Sequence, residues 1–270
     1  MRVDTDDFAR PRGCGKNHLV EVEEILIEPG AVNALEEAMS EGFLKEYISP
    51  LLICDTNTCK ATEELMEDIY DRCQVLVLDA DDLKADRHAV EIVENYMDED
   101  IDLILAVGAG TIHDISRYVA SQYKIPFVSV PTAASVDGFA ANVAALTLDG
   151  LKKTVAGVSP RWILADTDIF AAAPSRLTAS GVSDFLGKYI SILDWKIAHL
   201  ITDEYICEEV CDLLEKARRD VSRVLDDIRF GDREAIEKLM YALILSGLCM
   251  QMVDSPRPVS GAEHMVSHMW

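Results

Sequence analysis

Asp184 and His264 are residue types that a divalent metal takes as ligands, and His268 follows His264 by one helical turn on the same face. A carboxylate joined by imidazoles is a usual donor set for catalytic zinc or iron, with one position left open for substrate. Asp184 stands near the start of one long helical segment and His264 at the start of another. A helical hairpin between them would bring both onto one cleft wall. Spacing alone leaves two other readings open, Asp184 as a helix cap and His264 as a satisfied helix histidine. His268 is open to three: second ligand, hydrogen-bond donor to substrate, or proton carrier.

A second chemistry is written in glycine. The run Gly108-Ala109-Gly110-Thr111-Ile112-His113-Asp114 follows an apolar strand, and Pro131-Thr132-Ala133-Ala134-Ser135-Val136-Asp137-Gly138 follows the next. Glycine lacks a Cβ, so a pyrophosphate can approach the peptide N–H groups closely. The positive end of a helix opening there favours an anion without help from lysine. The third glycine of the dinucleotide fingerprint is missing from the first run. Asp55, just past an earlier strand, is placed to accept hydrogen bonds from a ribose, although a helix N-cap would use the same carboxylate. His18, His88, His113 and His199 have no comparable context and read as surface or packing residues.

These anion-binding turns stand out against the chain as a whole. Its 270 residues carry 48 acidic against 25 basic side chains, a formal charge of −23. That balance excludes nucleic acid and anionic membrane surfaces as partners, since both require a basic face. No N-terminal run resembles a signal peptide, and no stretch of about 20 apolar residues is read as a span, so no membrane insertion is expected. The seven cysteines are odd in number and contain no CxxC pair, which suits reduced thiols in a cytoplasmic protein. Cys207 and Cys211 share a helix face, where packing is the expected role.

The elements that position these residues follow from periodicity. Extended segments are predicted at 24–27, 50–54, 74–78, 101–107, 126–130 and 162–165, separated by helices at 31–42, 58–71, 86–97 and 111–122. Near-continuous apolar strands alternating with amphipathic helices indicate a parallel sheet covered on both faces. Such sheets bind ligands outside the carboxyl ends of their strands, where both glycine-bearing turns fall. Residues 144–155 read as a hairpin with Asp149-Gly150 at the turn. Beyond about Pro174 everything is predicted helical, at 179–200, 203–230, 232–253 and from 262 onward. Two domains are expected, an α/β unit over 1–170 and an all-helical unit over 171–270. The last helix is cut within its motif at Trp270, so the second domain is expected to be incomplete.

Taken in order, the Gly108–Asp114 run, the Pro131–Gly138 run, Ser183-Asp184 and Ser260-Gly261-Ala262-Glu263-His264 resemble the metal-dependent dehydrogenases that include glycerol dehydrogenase, iron-containing alcohol dehydrogenases and dehydroquinate synthase. The resemblance covers nearly the whole chain and is strongest to members acting on sn-glycerol 1-phosphate. It implies an α/β, Rossmann-like N-terminal domain, an all-α C-terminal domain and an active site between them. It further implies NAD or NADP as cofactor, with one divalent metal ion, zinc first and iron or nickel as alternatives. The implied substrate is a small phosphorylated ketone or polyol, reduced from dihydroxyacetone phosphate to sn-glycerol 1-phosphate in a homo-oligomer. By the same carry-over, Asp55 would hold the adenosine ribose. Gly108, Ala109, Gly110, Thr111, Ile112, Thr132, Ala133, Ala134 and Ser135 would contact the dinucleotide. Asp137 would touch substrate, Asp184 and His264 would ligate metal, and His268 would lie beside the substrate. Lys152, Lys153, Lys188 and Arg161 are the basic candidates for the substrate phosphate. Two departures stand out: Ala141 replaces a common polar group, and a further histidine ligand would fall beyond Trp270. A glycerol dehydrogenase-like polyol oxidoreductase and a non-catalytic shortened paralogue that binds nucleotide are the alternatives.

Overall fold

Alternate residues of a strand point to opposite faces of its sheet, so a strand apolar at every position must be buried on both sides. In the computed structural model, which describes residues 1–10 and 13–267, Leu103, Leu105 and Val107 enter one apolar cluster while Ile104 and Ala106 enter another across the sheet. Among the described residues this strand lies within a seven-stranded sheet. Its members are β1 (Arg2–Val3), β2 (Glu24–Glu28), β3 (Pro50–Asp55), β4 (Gln74–Leu78), β5 (Leu103–Gly108), β6 (Phe127–Pro131) and β9 (Trp162–Asp166). Their order is β1-β2-β9-β6-β5-β3-β4, parallel throughout except for β1 against β2. Strand β1 was not predicted, because two residues carry no period.

The intervening hairpin is β7 (Val143–Leu148) with β8 (Leu151–Ala156). Its turn residues Asp149 and Gly150 both take positive φ, 57° and 76°, as a tight two-residue hairpin turn requires.

The helices are α1 (Asp6–Ala9), α2 (Asn33–Ser40), α3 (Thr56–Thr62), α4 (Glu67–Tyr70), α5 (Arg87–Tyr96), α6 (Gly110–Tyr123), α7 (Thr167–Phe170), α8 (Ser175–Thr202), α9 (Glu208–Arg223), α10 (Leu225–Arg229), α11 (Arg233–Val253) and α12 (Ala262–Ser267). Two predicted helices are broken. The 58–71 segment divides into α3 and α4, where Leu65 and Met66 both turn back to the Thr62 carbonyl and Met66 enters the core. The 203–230 segment begins extended, because Asp203 ends α8 in the left-handed region at φ 57°.

Chain direction within the sheet reverses at one place. From β3 the chain steps outward to β4, whereas from β5 it steps the other way to β6. The carboxyl ends of neighbouring strands β3 and β5 therefore flank the crevice where this architecture binds ligands. On the face that Ile104 and Ala106 also share, Ile25, Ile27, Ile163 and Ala165 join one apolar cluster with Phe185, Leu243 and Leu248 of the helical part. Helix α11 corrects one expectation. By length and composition it is apolar enough to cross a membrane, but 83% of its most apolar window is buried inside the protein as a core helix.

Candidate active site

Helix α8 puts Asp184 and Lys188 four residues apart, hence on one face. The Lys188 ammonium lies 2.8 Å from Asp184 Oδ1 and 2.8 Å from Asp137 Oδ2, and the Asp137 backbone N–H donates to Asp184 Oδ2 at 2.8 Å. Burial alone would depress the lysine, but the two carboxylates outweigh it and raise its pKa, so it stays charged at 2% exposure. Burial and then the Asp184 charge push Asp137 upward, opposed by Lys188 and by His264. Two carboxyl groups and one ammonium thus meet at one point, and carboxyl oxygens are the donors that a further cation would take. His264, on α12, lines the same cavity as Asp137 and Asp184.

That cavity has a volume of 760 Å³, within the range of small-molecule sites. One wall is the start of α6, represented by Gly110 and Thr111, with Asp137 and Gly138 beyond it. The hairpin adds Val143, Thr147, Lys152 and Thr154, and α8 adds Ser180, Ser183, Asp184 and Gly187. Glu263 and His264 close the far side, where Glu263 Oε2 is buried without a hydrogen-bond partner.

The start of α6 suits an anion. Its N-cap is Ala109, which has no side-chain acceptor to offer the first-turn N–H groups. The glycines also serve packing. A Cβ on Gly108 would meet Ile112 at 2.6 Å, and one on Gly110 would meet Val136 at 2.9 Å. Their missing side chains make room for protein packing around the turn, and Ile112 itself is core. Thr132, Ala133, Ala134 and Ser135 are likewise buried, and the cavity wall begins only at Val136. Ser135 Oγ is buried there with no partner.

Asp55 is the N-cap of α3. Its Oδ1 accepts from Asn57 N at 2.8 Å and Thr58 N at 2.9 Å, in a reciprocal capping box with Thr58. It does not line the cavity, but it ends β3 at the crevice. Ile53 pairs with Ala106, so Asp55 and Gly108 each lie two residues further along neighbouring strands. His268 lies outside the described residues.

Of the basic candidates, Lys152 lines the cavity, whereas Lys188 is committed to the two carboxylates. Lys153 pairs with Asp149 at 3.1 Å, and Arg161 donates to Glu23 and the Tyr47 hydroxyl, both away from the cavity. Several contributors were not anticipated. Lys84 reaches the cavity from the loop that docks on β7 through Thr147 N and the Ala85 carbonyl, 2.8 Å. Arg117, fully buried, donates to Asp114 Oδ1 at 3.1 Å, to Val143 O at 3.2 Å and to Gly138 O, thereby holding the turn that carries Asp137. The Asp114–Arg117 spacing of three residues was the available signal. Asp114 lines the cavity, and burial pushes its carboxyl up to about 6 against the pull of Arg117. His113 is clamped by Ala109 O at 3.0 Å and Ser129 Oγ at 2.8 Å, and burial brings it down to about 3, so it is neutral.

Asp184 and His264 thus offer a carboxylate and an imidazole to one cavity, the donor chemistry of a zinc or iron site. Among the described residues no third histidine, cysteine or acid completes a compact donor group with them.

The chain also compares with known proteins. The family profile described as iron-containing alcohol dehydrogenase matches residues 26–174. A protein of Bacillus licheniformis named glycerol-1-phosphate dehydrogenase, NAD(P)+, is 39% identical over 94% of this chain and 65% of its own length. One of the same name from Pyrococcus furiosus is 34% identical over 87% of this chain and 68% of its own. The chain spans about 65% of the length of the Bacillus and Geobacillus relatives it matches. An iron-containing alcohol dehydrogenase of Thermotoga maritima superposes with a TM-score of 0.71 at 16% identity, covering 88% of this chain and 70% of that one. A probable glycerol dehydrogenase of Sinorhizobium meliloti gives 0.69 at 20% identity, covering 84% and 65%.

Proposed function

Because this chain belongs to the iron-containing alcohol dehydrogenase family, we propose that it carries the nucleotide, metal and substrate sites of an NAD(P)-dependent dehydrogenase. Its reaction is the interconversion of dihydroxyacetone phosphate and sn-glycerol 1-phosphate. The observation that carries this reading is the sharing of one cavity by Asp137, Asp184, His264 and the uncapped start of α6. Residues 1–170 bind the nucleotide, and 171–270 contribute the metal ligands and much of the substrate wall.

When bound, the reduced nicotinamide supplies the hydride, and a divalent metal held by Asp184 and His264 supplies a Lewis acid for the ketone oxygen. The protein's own part is positioning. The first-turn N–H groups of Gly110 and Thr111 receive the dinucleotide phosphates. Asp137 accepts a hydrogen bond from a substrate hydroxyl, and Lys188 holds its carboxyl group and that of Asp184 aimed at one point. Lys152, with Lys84, meets the phosphate at the hairpin side of the cavity. Fixed charges of this kind favour the polar transition state because no reorganisation is needed as charge develops.

Turnover with glycerol 1-phosphate against glycerol tests the substrate, since only the phosphorylated alcohol engages Lys152 and Lys84. Glycerol turned over as well as its phosphate would replace this reading with a polyol dehydrogenase. Retained turnover in Asp184→Ala, with nicotinamide binding unchanged, would remove Asp184 from the site.

A further inference from the structure

A second donor cluster lies away from the cavity. Cys14 and His18 belong to the segment before β2, and Cys207 is the residue that opens α9. One donor atom from each lies within 4.8 Å of the other two. His18 Nε2 is 2.9 Å from Cys14 Sγ and 3.9 Å from Cys207 Sγ. Zinc sits about 2.3 Å from thiolate sulfur and about 2.0–2.1 Å from imidazole nitrogen, so a tetrahedral S···N pair spans about 3.5 Å. The two observed separations bracket that value.

We propose that Cys14, His18 and Cys207 bind one zinc ion, a thiolate–imidazole–thiolate site that pins the N-terminal segment to the helical part. Thiolate and imidazole together select zinc over the oxygen-seeking magnesium and calcium. None of the three residues lines the cavity, so the site is structural and separate from the dehydrogenase chemistry.

The surroundings support a cation. His18 and Cys207 are 1% and 0% exposed, and the His18 ring turns Nε2 to the two sulfurs. A buried imidazole facing only two sulfurs is poorly satisfied by thiols and well satisfied by a metal. A Cys14–Cys207 disulfide would leave Nε2 without a partner. Tyr205 donates to Cys14 Sγ at 3.2 Å, and the Lys16 ammonium lies 4.0 Å from the Tyr205 ring centroid. Thiolate is the form that binds metal, so zinc entering this cluster would displace the thiol protons. Cys14 is only partly buried, which leaves the fourth position to water.

Cobalt(II) reports thiolate ligation directly, through a sulfur-to-metal charge-transfer absorption in the near ultraviolet. Titrated into the metal-stripped 270-residue chain, it should produce that band at one equivalent. Zinc should displace it, and Asp184→Ala should retain it. Cys207→Ser and Cys14→Ser, checked for folding by circular dichroism, should lose it. In the unmodified protein, zinc should slow iodoacetamide alkylation of Cys14 at least tenfold by peptide mass mapping, a readout that needs no variant. Absence of the band in the folded chain overturns the site, as does a band surviving in both variants. Alkylation indifferent to zinc, or a Cys14–Cys207 disulfide in the non-reduced map, overturns it equally.

Discussion

The backbone N–H of Asp137 donates to the Asp184 carboxylate at 2.8 Å, joining the turn after β6 to the face of α8. Lys188 reinforces the junction by reaching both carboxylates from one turn below. The two walls of the cavity are therefore fixed to each other by a buried charge cluster, which presets its width before any ligand enters.

Lys188→Met should expose what that cluster contributes. Removing the ammonium leaves two nearly buried carboxyl groups facing each other, and breaking a buried pair this way costs about 3–5 kcal/mol. The expected result is a lowered denaturation midpoint that divalent zinc partly restores. An unchanged midpoint would mean the ion pairs are not formed in solution.

Asp55 can be parsed with two substitutions. Serine retains the cap on α3 but removes the carboxylate, whereas alanine removes both and costs about 1 kcal/mol of stability. If Asp55 also holds a ribose, Asp55→Ser should weaken nicotinamide nucleotide binding about tenfold, the size of one charge-assisted hydrogen bond, with little change in melting temperature. Equal nucleotide affinity in the serine variant and the parent would leave capping as its whole role.

Gly181 lies where α8 crosses the Thr132–Ser135 turn, and a Cβ there would run into the Ala134 carbonyl. Backbone cannot step aside as a flexible side chain does, so Gly181→Ala should destabilise by about 1–3 kcal/mol. Urea unfolding measures this directly, and a neutral outcome would show that α8 stands further from the turn.

His113 sets an acid limit. Its folded pKa of about 3 lies below the ordinary value of 6.5, so between those values the unfolded chain binds a proton that the folded chain does not. Stability is then whole above pH 6.5 and falls with acidification, by on the order of 2–3 kcal/mol down to pH 4.5. Asp114, raised to about 6 from 3.8, slopes the opposite way across its own window. Subtracting the His113→Asn stability curve from that of the parent isolates the histidine. A flat difference would refute the buried neutral ring.

Lys152 is exposed on the hairpin yet lines the cavity. Lys152→Ala should raise KM for glycerol 1-phosphate about tenfold, the loss of one charge-assisted contact, with the melting temperature held. An unaltered KM would assign the phosphate elsewhere.

Much of this architecture was legible before folding was considered. The unbroken apolar runs at 103–107 and 50–54 could satisfy their backbones and bury both faces only inside a parallel sheet, and Asp149-Gly150 prescribed its hairpin turn. The order of glycine turns and metal-type ligands also marked the family. Other features were written too weakly. A two-residue strand has no period to detect, and the breaks after Thr62 and Asp203 depend on which side chains the core accepts.

Contacts between distant segments were settled by tertiary structure alone. The sequence supplied Lys188 as one of several cations, but only packing of α8 against the turn after β6 turned it to Asp137 and away from a phosphate. Cys207 and His18 stand 189 residues apart and meet because the N-terminal segment lies against the start of α9. Periodicity and capping are properties of neighbours within a turn or two of chain, so they can be read locally. Which charge meets which across a cleft is fixed by the shape of the whole core, and no local pattern encodes it.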